Sequence, residues 1–161
     1  MDIIALLSFH YLNHNNLNDV ITKTKEYKMT NRRFNLSKEN DMTIIEDYGH
    51  HPTQIKINYE TLRTMYPNKK IIAIFKPDRI SRIKYFYEDF VNALSLYDKA
   101  YVMPFNDKEN NYILEKNENH KITFIKNNDL NIIDINKDYI YIIMSSKNIK
   151  NIKDYLIKKD C

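Results

Sequence analysis

The sequence predicts an α/β fold: a Rossmann-like, mostly parallel sheet with helices on both faces, preceded by a short helical appendage. Three observations carry this. From Met42 onward, short β-prone runs alternate with segments of helical periodicity. Residues 71–75 are apolar at every position, the pattern of a strand covered on both faces. Strands that alternate with crossover helices pair in parallel, with the helices packed against the sheet.

Taken in order, Ile3, Leu6 and Leu7 share one helical face, and Leu17, Val20, Ile21 and Thr24 share another, with a polar break over residues 14–18. Arg32, Arg33 and Phe34 lead into a short extended piece, and residues 37–41 are polar and read as a turn or linker. The domain boundary is placed here, with residues 1–36 as the appendage and residues 37–161 as the α/β domain. Residues 43–46 are β-prone. Pro52 opens a helix, because proline suits the first helical position. Ile55, Tyr59, Leu62 and Met65 or Tyr66 line one face of that helix, and Pro67 ends it. After the apolar strand, Ser81 can cap a helix whose face carries Phe86, Phe90, Leu94 and Tyr97. Residues 100–103 form a further strand, and residues 108–121 are polar and unpatterned. Residues 122–125 form a strand, 130–135 a short helix and 139–144 a strong strand. Ile149, Ile152, Tyr155 and Leu156 give a last amphipathic helix.

Composition narrows the function. At 161 residues and 43% hydrophobic content the chain can bury the core of one globular domain. Its net charge of +4 is spread among acidic residues without a concentrated stripe, so it has no nucleic-acid footprint. The apolar residues 3–7 are too few to span a bilayer and follow an Asp, so no membrane segment is expected. A lone Cys161 rules out a disulfide within the chain and fits a reduced, cytoplasmic setting. His10 and His14 are four apart, as helical metal ligands can be. No third ligand accompanies them, so they read as surface histidines and no metal site is expected. Glycine is the most telling count. Gly49 stands alone where a domain of this length would carry roughly ten. A phosphate loop needs several glycines so that backbone N–H groups can reach phosphate oxygens, which excludes a self-contained P-loop or a Gly-rich dinucleotide turn.

In open α/β sheets ligands bind beyond the carboxyl ends of the strands. Two segments fall there: Glu46-Asp47-Tyr48-Gly49-His50-His51-Pro52 after the first strand and Lys76-Pro77-Asp78-Arg79-Ile80-Ser81-Arg82 after the second. Asp47 can accept hydrogen bonds from ribose hydroxyls. Gly49 permits a backbone conformation closed to other residues, and so marks a turn whose geometry must be held. His50 and His51 can donate to or accept from a substrate. Arg79 and Arg82, three apart at a helix start, make a carboxylate or phosphate clamp. Taken alone, the same residues read more simply as a strand-to-helix turn with a His N-cap and surface arginines.

Together the two segments resemble the signatures of one family. Asp47-Tyr48-Gly49-His50-His51-Pro52-Thr53 looks like the motif of the UDP-N-acetylmuramate–L-alanine ligases, a branch of the Mur ligases. Phe75-Lys76-Pro77-Asp78-Arg79-Ile80-Ser81-Arg82 is similar to that family's Phe-Gln-Pro-His-Arg-Tyr-Ser/Thr-Arg, and Phe90, Ala93-Leu94, Asp98 and Tyr101-Val102 extend the likeness. The related murein tripeptide ligases share His-His-Pro but carry a Pro-Arg-Ser-Asn-Thr segment in place of the second motif. Upstream, Lys28-Met29-Thr30-Asn31-Arg32-Arg33-Phe34 resembles the Gly-x-x-Arg-Arg-Phe junction that closes the family's central domain. Residues 141–149 resemble its Met-Gly-Ala-Gly-Asp-Ile segment with both glycines gone.

The resemblance implies the carboxy-terminal domain of such a ligase, with the last central-domain helices and the junction as residues 1–36. In that family ATP phosphorylates a substrate carboxylate and the amine of L-alanine attacks the acyl phosphate, in peptidoglycan precursor synthesis. Asp47 would meet the ATP ribose, Tyr48 and His50 would line the amino-acid pocket, Arg79 and Arg82 would hold the L-alanine carboxylate, and Gly49 and Pro52 would shape the turn. The nucleotide loop and the Mg ligands belong to the family's central domain and have no counterpart here. The expectation is therefore a truncated ligase that is not self-sufficient, acting with a separately encoded partner. The alternative is a non-catalytic remnant or binding module. Asp78 stands where the family carries His, and an acid beside Arg79 can pair with it and oppose a bound carboxylate.

Overall fold

The computed structural model describes residues 11–13, 16, 18–19, 21–22, 32–39, 41–105 and 120–159. Two compact units are present, Met1–Thr30 and Asn31–Cys161. In the first, Tyr11 and Leu12 are helical, as are residues 18–19 and 21–22. Asn16 Oδ1 accepts from Asn18 N at 3.0 Å, and Thr22 Oγ1 donates back to Asn18 O at 2.8 Å. The helix expected over residues 3–7, the pair His10 and His14, Leu17, Val20, Thr24, most of the unpatterned segment and Cys161 lie outside the described residues.

The second unit is built on a six-stranded sheet of order β1-β2-β6-β3-β4-β5. The strands are β1 Asn35–Glu39, β2 Met42–Asp47, β3 Ile71–Phe75, β4 Lys99–Val102, β5 Ile122–Phe124 and β6 Ile140–Met144. β1 runs antiparallel to β2, and every other pairing is parallel. The helices are α1 Pro52–Met65, α2 Ile80–Tyr85, α3 Tyr87–Ser95 and α4 Lys150–Lys159. The expected mostly parallel sheet with helices on both faces is therefore the observed architecture.

Strand alternation divides the core into two layers. Ile45, Ala73, Phe75, Val102, Ile142 and Met144 face a layer completed by Ile55 and Leu62 of α1 and by Phe90 and Leu94 of α3. Ile44, Ile72, Ile74, Tyr101, Tyr141 and Ile143 face the opposite layer, closed by Ile152 and Leu156 of α4 together with Ile125, Ile133 and Ile149. β3 and β6 are buried at every position, which is why they read as continuous apolar runs.

Several local expectations need correction. Residues 37–41 are not a linker: β1 occupies Asn35–Glu39, straddling position 36, and pairs along its length with β2. It is an edge strand, half exposed and polar, so it carries no apolar alternation. Ser81 does not cap the next helix. Arg79 is the N-cap of α2 and makes no side-chain capping bond. The stripe from Phe86 to Tyr97 spans a break, with α2 ending and α3 beginning at Phe86 and Tyr97 lying beyond α3. Residues 130–135 form only a single 3-10 turn, Leu130–Ile132.

Candidate functional site

Parallel register brings four strand ends level. Asp47 pairs with Met144, Met144 with Phe75 and Phe75 with Val102. The ladder runs one step further: Ser145 N donates to Asp47 O at 3.0 Å, Lys76 N to Met144 O at 3.0 Å and Met103 N to Phe75 O at 2.8 Å. The turns after β2, β3 and β6 therefore leave the sheet side by side and form one rim, where ligands bind in such sheets.

The β2 turn is held from below. Asp47 is 3% exposed, and its carboxylate accepts from Phe34 N at 2.8 Å, Gly49 N at 2.6 Å and Asn58 Nδ2 at 3.0 Å. The residue expected to meet a ribose is thus placed inside the turn, with three internal donors on its carboxylate. Asn58 carries no motif signal of its own. It sits among Ile55 and Leu62 on the buried face of α1, and a polar residue at that position is the signal that points to a partner. Gly49 does not adopt a left-handed conformation. The turn needs glycine for space: a Cβ would collide with Asp47 Oδ1 and stand 2.8 Å from Gln54 Cγ.

Tyr48 and His50 project from this turn, half-buried, with their rings edge to face at 5.4 Å. His50 Nδ1 lies 3.0 Å from Tyr48 O. A carbonyl only accepts, so Nδ1 carries the proton and, in the neutral ring, Nε2 is left as an acceptor. Arg32 and Arg33 lie over the Tyr48 ring at 5.6 and 4.9 Å. Arg32 also donates through Nη2 to Ser145 O, which ties the β6 turn to the segment entering β1. His51 is the N-cap of α1 and accepts from Thr53 N at 3.4 Å, and Pro52 opens the helix as expected. The plain capping reading therefore describes His51.

From the β3 turn, Arg82 donates through Nη1 to Asp78 Oδ1 at 3.0 Å and reaches His50 O at 3.5 Å. Asp78 Oδ2 accepts from Ser146 Oγ at 2.9 Å. The structure thus brings the His50 turn and Arg82 to one edge. Arg79 is exposed on extended backbone at the start of α2. The acid that stands in the family's His position pairs with Arg82, not with Arg79.

The family model for the Mur ligase glutamate ligase domain matches residues 32–142, from Arg32 into β6. The chain belongs to the Mur ligase family. It is 34% identical over 104 residues to the UDP-N-acetylmuramate–L-alanine ligase of Limosilactobacillus reuteri (strain DSM 20016), covering 65% of this chain and 24% of that protein. The corresponding ligase of Levilactobacillus brevis is 36% identical over 102 residues, covering 63% of this chain and 23% of that protein. The chain thus spans about a quarter of the length of the curated relatives it matches. A crystal structure of the UDP-N-acetylmuramate–alanine ligase of Thermotoga maritima superposes with a TM-score of 0.78 at 21% identity, covering 98% of this chain and 36% of that one. That likeness shares the Mur ligase fold. The matched span contains both rim turns, and with them Tyr48, His50, Arg79 and Arg82.

Proposed function

We propose that this chain supplies the amino-acid-clamping, ATP-closing domain for ligation of L-alanine to a UDP-N-acetylmuramate-type carboxylate, in the synthesis of peptidoglycan precursors. The observation that carries this reading is the meeting of the Tyr48–His50 turn with Arg82 at the strand ends. His50 Nε2, left as an acceptor, suits an amine hydrogen. Tyr48 gives the pocket an aromatic wall stiffened by Arg32 and Arg33. Arg79 and Arg82 supply the positive charge for the amino acid's carboxylate, which positions the amine for attack without covalent catalysis.

ATP and magnesium are implied by the family, and on this reading neither is held by this chain alone. Among the described residues no cluster of three or more His, Cys, Asp or Glu could hold a metal ion, and Asp47 is buried among three internal donors. The only glycine is Gly49, so the 161 residues contain no glycine-rich phosphate cradle. On this reading the phosphate grip and the metal ligands come from an amino-terminal and central ligase domain acting as partner, in a cytoplasmic setting. Among the described residues no helix is long and apolar enough to cross a membrane.

Mixing the purified chain with the amino-terminal and central domains of the Limosilactobacillus reuteri ligase tests this. L-Alanine-dependent phosphate release is expected, lowered at least ~10-fold by Arg82→Ala. Release no greater than that of the added domains alone sinks the reading. A second reading, a non-catalytic binding module, is favoured by the Asp78–Arg82 pair, which lowers the net charge of the clamp. Calorimetry with ATP, ADP and L-alanine separates the two. Submillimolar binding that Arg79→Ala abolishes counts against the second.

A further inference from the structure

Arg82 already holds an anion of its own. Asp78 Oδ1 sits 3.0 Å from Arg82 Nη1, and the side chains of Arg82 and Asp78 are only 21% and 13% exposed. An ordinary exposed pair four residues apart is loose and contributes little. This one is tethered from a second element, because Ser146 Oγ, just past β6, donates to Asp78 Oδ2 at 2.9 Å. Ser146 is itself fixed in place by its neighbour: Ser145 N bonds Asp47 O, and Ser145 O accepts from Arg32. Both oxygens of Asp78 are thus engaged, one by the clamp arginine and one by the adjoining turn.

A guanidinium grips a carboxylate through two parallel N–H bonds. The Nη1 of Arg82 is already shared between Asp78 and His50 O, so a ligand carboxylate meets a half-used fork. It also meets an ion pair with no net charge and the like charge of Asp78 beside it.

We infer that Asp78 is a resident counter-anion which a ligand's carboxylate must displace from Arg82, and that it sets the ligand class of the rim. With Asp78 tethered against it, Arg82 gives a ligand carboxylate less than an unpaired guanidinium would, and the rim separates an amino acid from its carboxylate-free amide by less than the arginines alone would allow. This rests on the reading of the rim as an amino-acid site.

Calorimetry on the full chain, with L-alanine and L-alaninamide as probes, tests it. The wild type is expected to bind both weakly, favouring L-alanine by only a small factor. Asp78→Asn keeps the side-chain shape and an acceptor for Ser146. It should tighten L-alanine at least ~10-fold, leave L-alaninamide unchanged, and lose the gain when combined with Arg82→Ala. Ser146→Ala, which keeps the acid but cuts its tether, should move L-alanine in the same direction by a smaller factor, and stands in if Asp78→Asn does not fold. Equal L-alanine affinity in the wild type, Asp78→Asn and Ser146→Ala, including no binding by any of them, overturns the inference. If L-alanine binding is lost in Arg82→Ala yet unmoved by Asp78→Asn, the inference fails and the rim reading stands. If no variant's binding depends on Arg82, the rim reading fails as well.

Discussion

The side-chain amide of Asn58 donates to Asp47 Oδ1 at 3.0 Å, joining the middle of α1 to the end of β2 inside the core. The same carboxylate takes the backbone N–H groups of Phe34 and Gly49. One buried charge therefore fixes the entry to β1, the rim turn and α1 together. Asp47→Ala would leave three donors without their acceptor. Hydrogen bonds to a charged group contribute about 1.5–3 kcal/mol each and do not add fully, so a loss of about 3–5 kcal/mol is expected. Urea unfolding measures it, and a loss below about 1 kcal/mol would show that the clasp is not structural.

Gly49→Ala should cost about 1–3 kcal/mol through overpacking, not through backbone strain, since its φ is not positive. The near contact with Gln54 Cγ gives a way to check the cause. In a Gln54→Ala background the penalty should shrink, as thermal melts of the four proteins would show. An undiminished penalty would point to the backbone instead.

How far the sequence reveals this site depends on what each signal reports. Pro52 and the capping role of a histidine before it are local chemistry, and both are visible in the chain. Apolar runs at residues 71–75 and 139–144 report burial on two faces, and they became β3 and β6. Asn35–Glu39 reports nothing, because an edge strand pairs through its backbone and leaves its side chains half exposed. Gly49 was legible as a constraint but not as to its kind, since one residue type answers both strain and crowding. The inward turn of Asp47 was half legible. It alternates onto the face of Ile45, where α1 packs, and the buried Asn58 opposite joins the N–H groups of Phe34 and Gly49 in satisfying it there. That Asp78 chooses Arg82 over Arg79 goes with the extended backbone of Arg79 at the start of α2 and with the contact from Ser146, neither of which spacing records.

Arg32→Lys keeps the charge but not the planar fork that reaches Ser145 O and covers the Tyr48 ring. A loss of about 1–2 kcal/mol is expected. Hydrogen exchange offers a local readout: the Ser145 amide, bonded to Asp47 O, should exchange faster in the variant. Unchanged protection there would separate Arg32 from the order of the rim.

Two buried phenols make stability fall in alkali. Burial pushes Tyr141 up to about 12 from an ordinary 10, and burial followed by the nearby Asp47 charge raises Tyr97 as well. Below the ordinary value both the folded and unfolded states hold the proton, and this contribution to stability is fully present. Above it an unfolded Tyr141 gives up its proton while the folded one keeps it, so stability declines as pH climbs toward 12. The Tyr141 hydroxyl donates to Asp134 O at 3.0 Å and accepts from Asn136 N at 2.7 Å. Tyr141→Phe should therefore cost about 1 kcal/mol at neutral pH and flatten the alkaline decline. An equally steep decline in the variant would assign the effect to other groups.

The strand that completes the sheet is the last of the six, yet it lies between β2 and β3. A chain leaving the ribosome therefore holds two apolar strands with a gap between them until residue 144 has emerged. For most of its synthesis the nascent domain has unpaired strand edges at its centre, where chaperones bind and aggregation starts. Folding from the amino terminus cannot close this sheet until β6 has been made, so its assembly waits for residues 140–144.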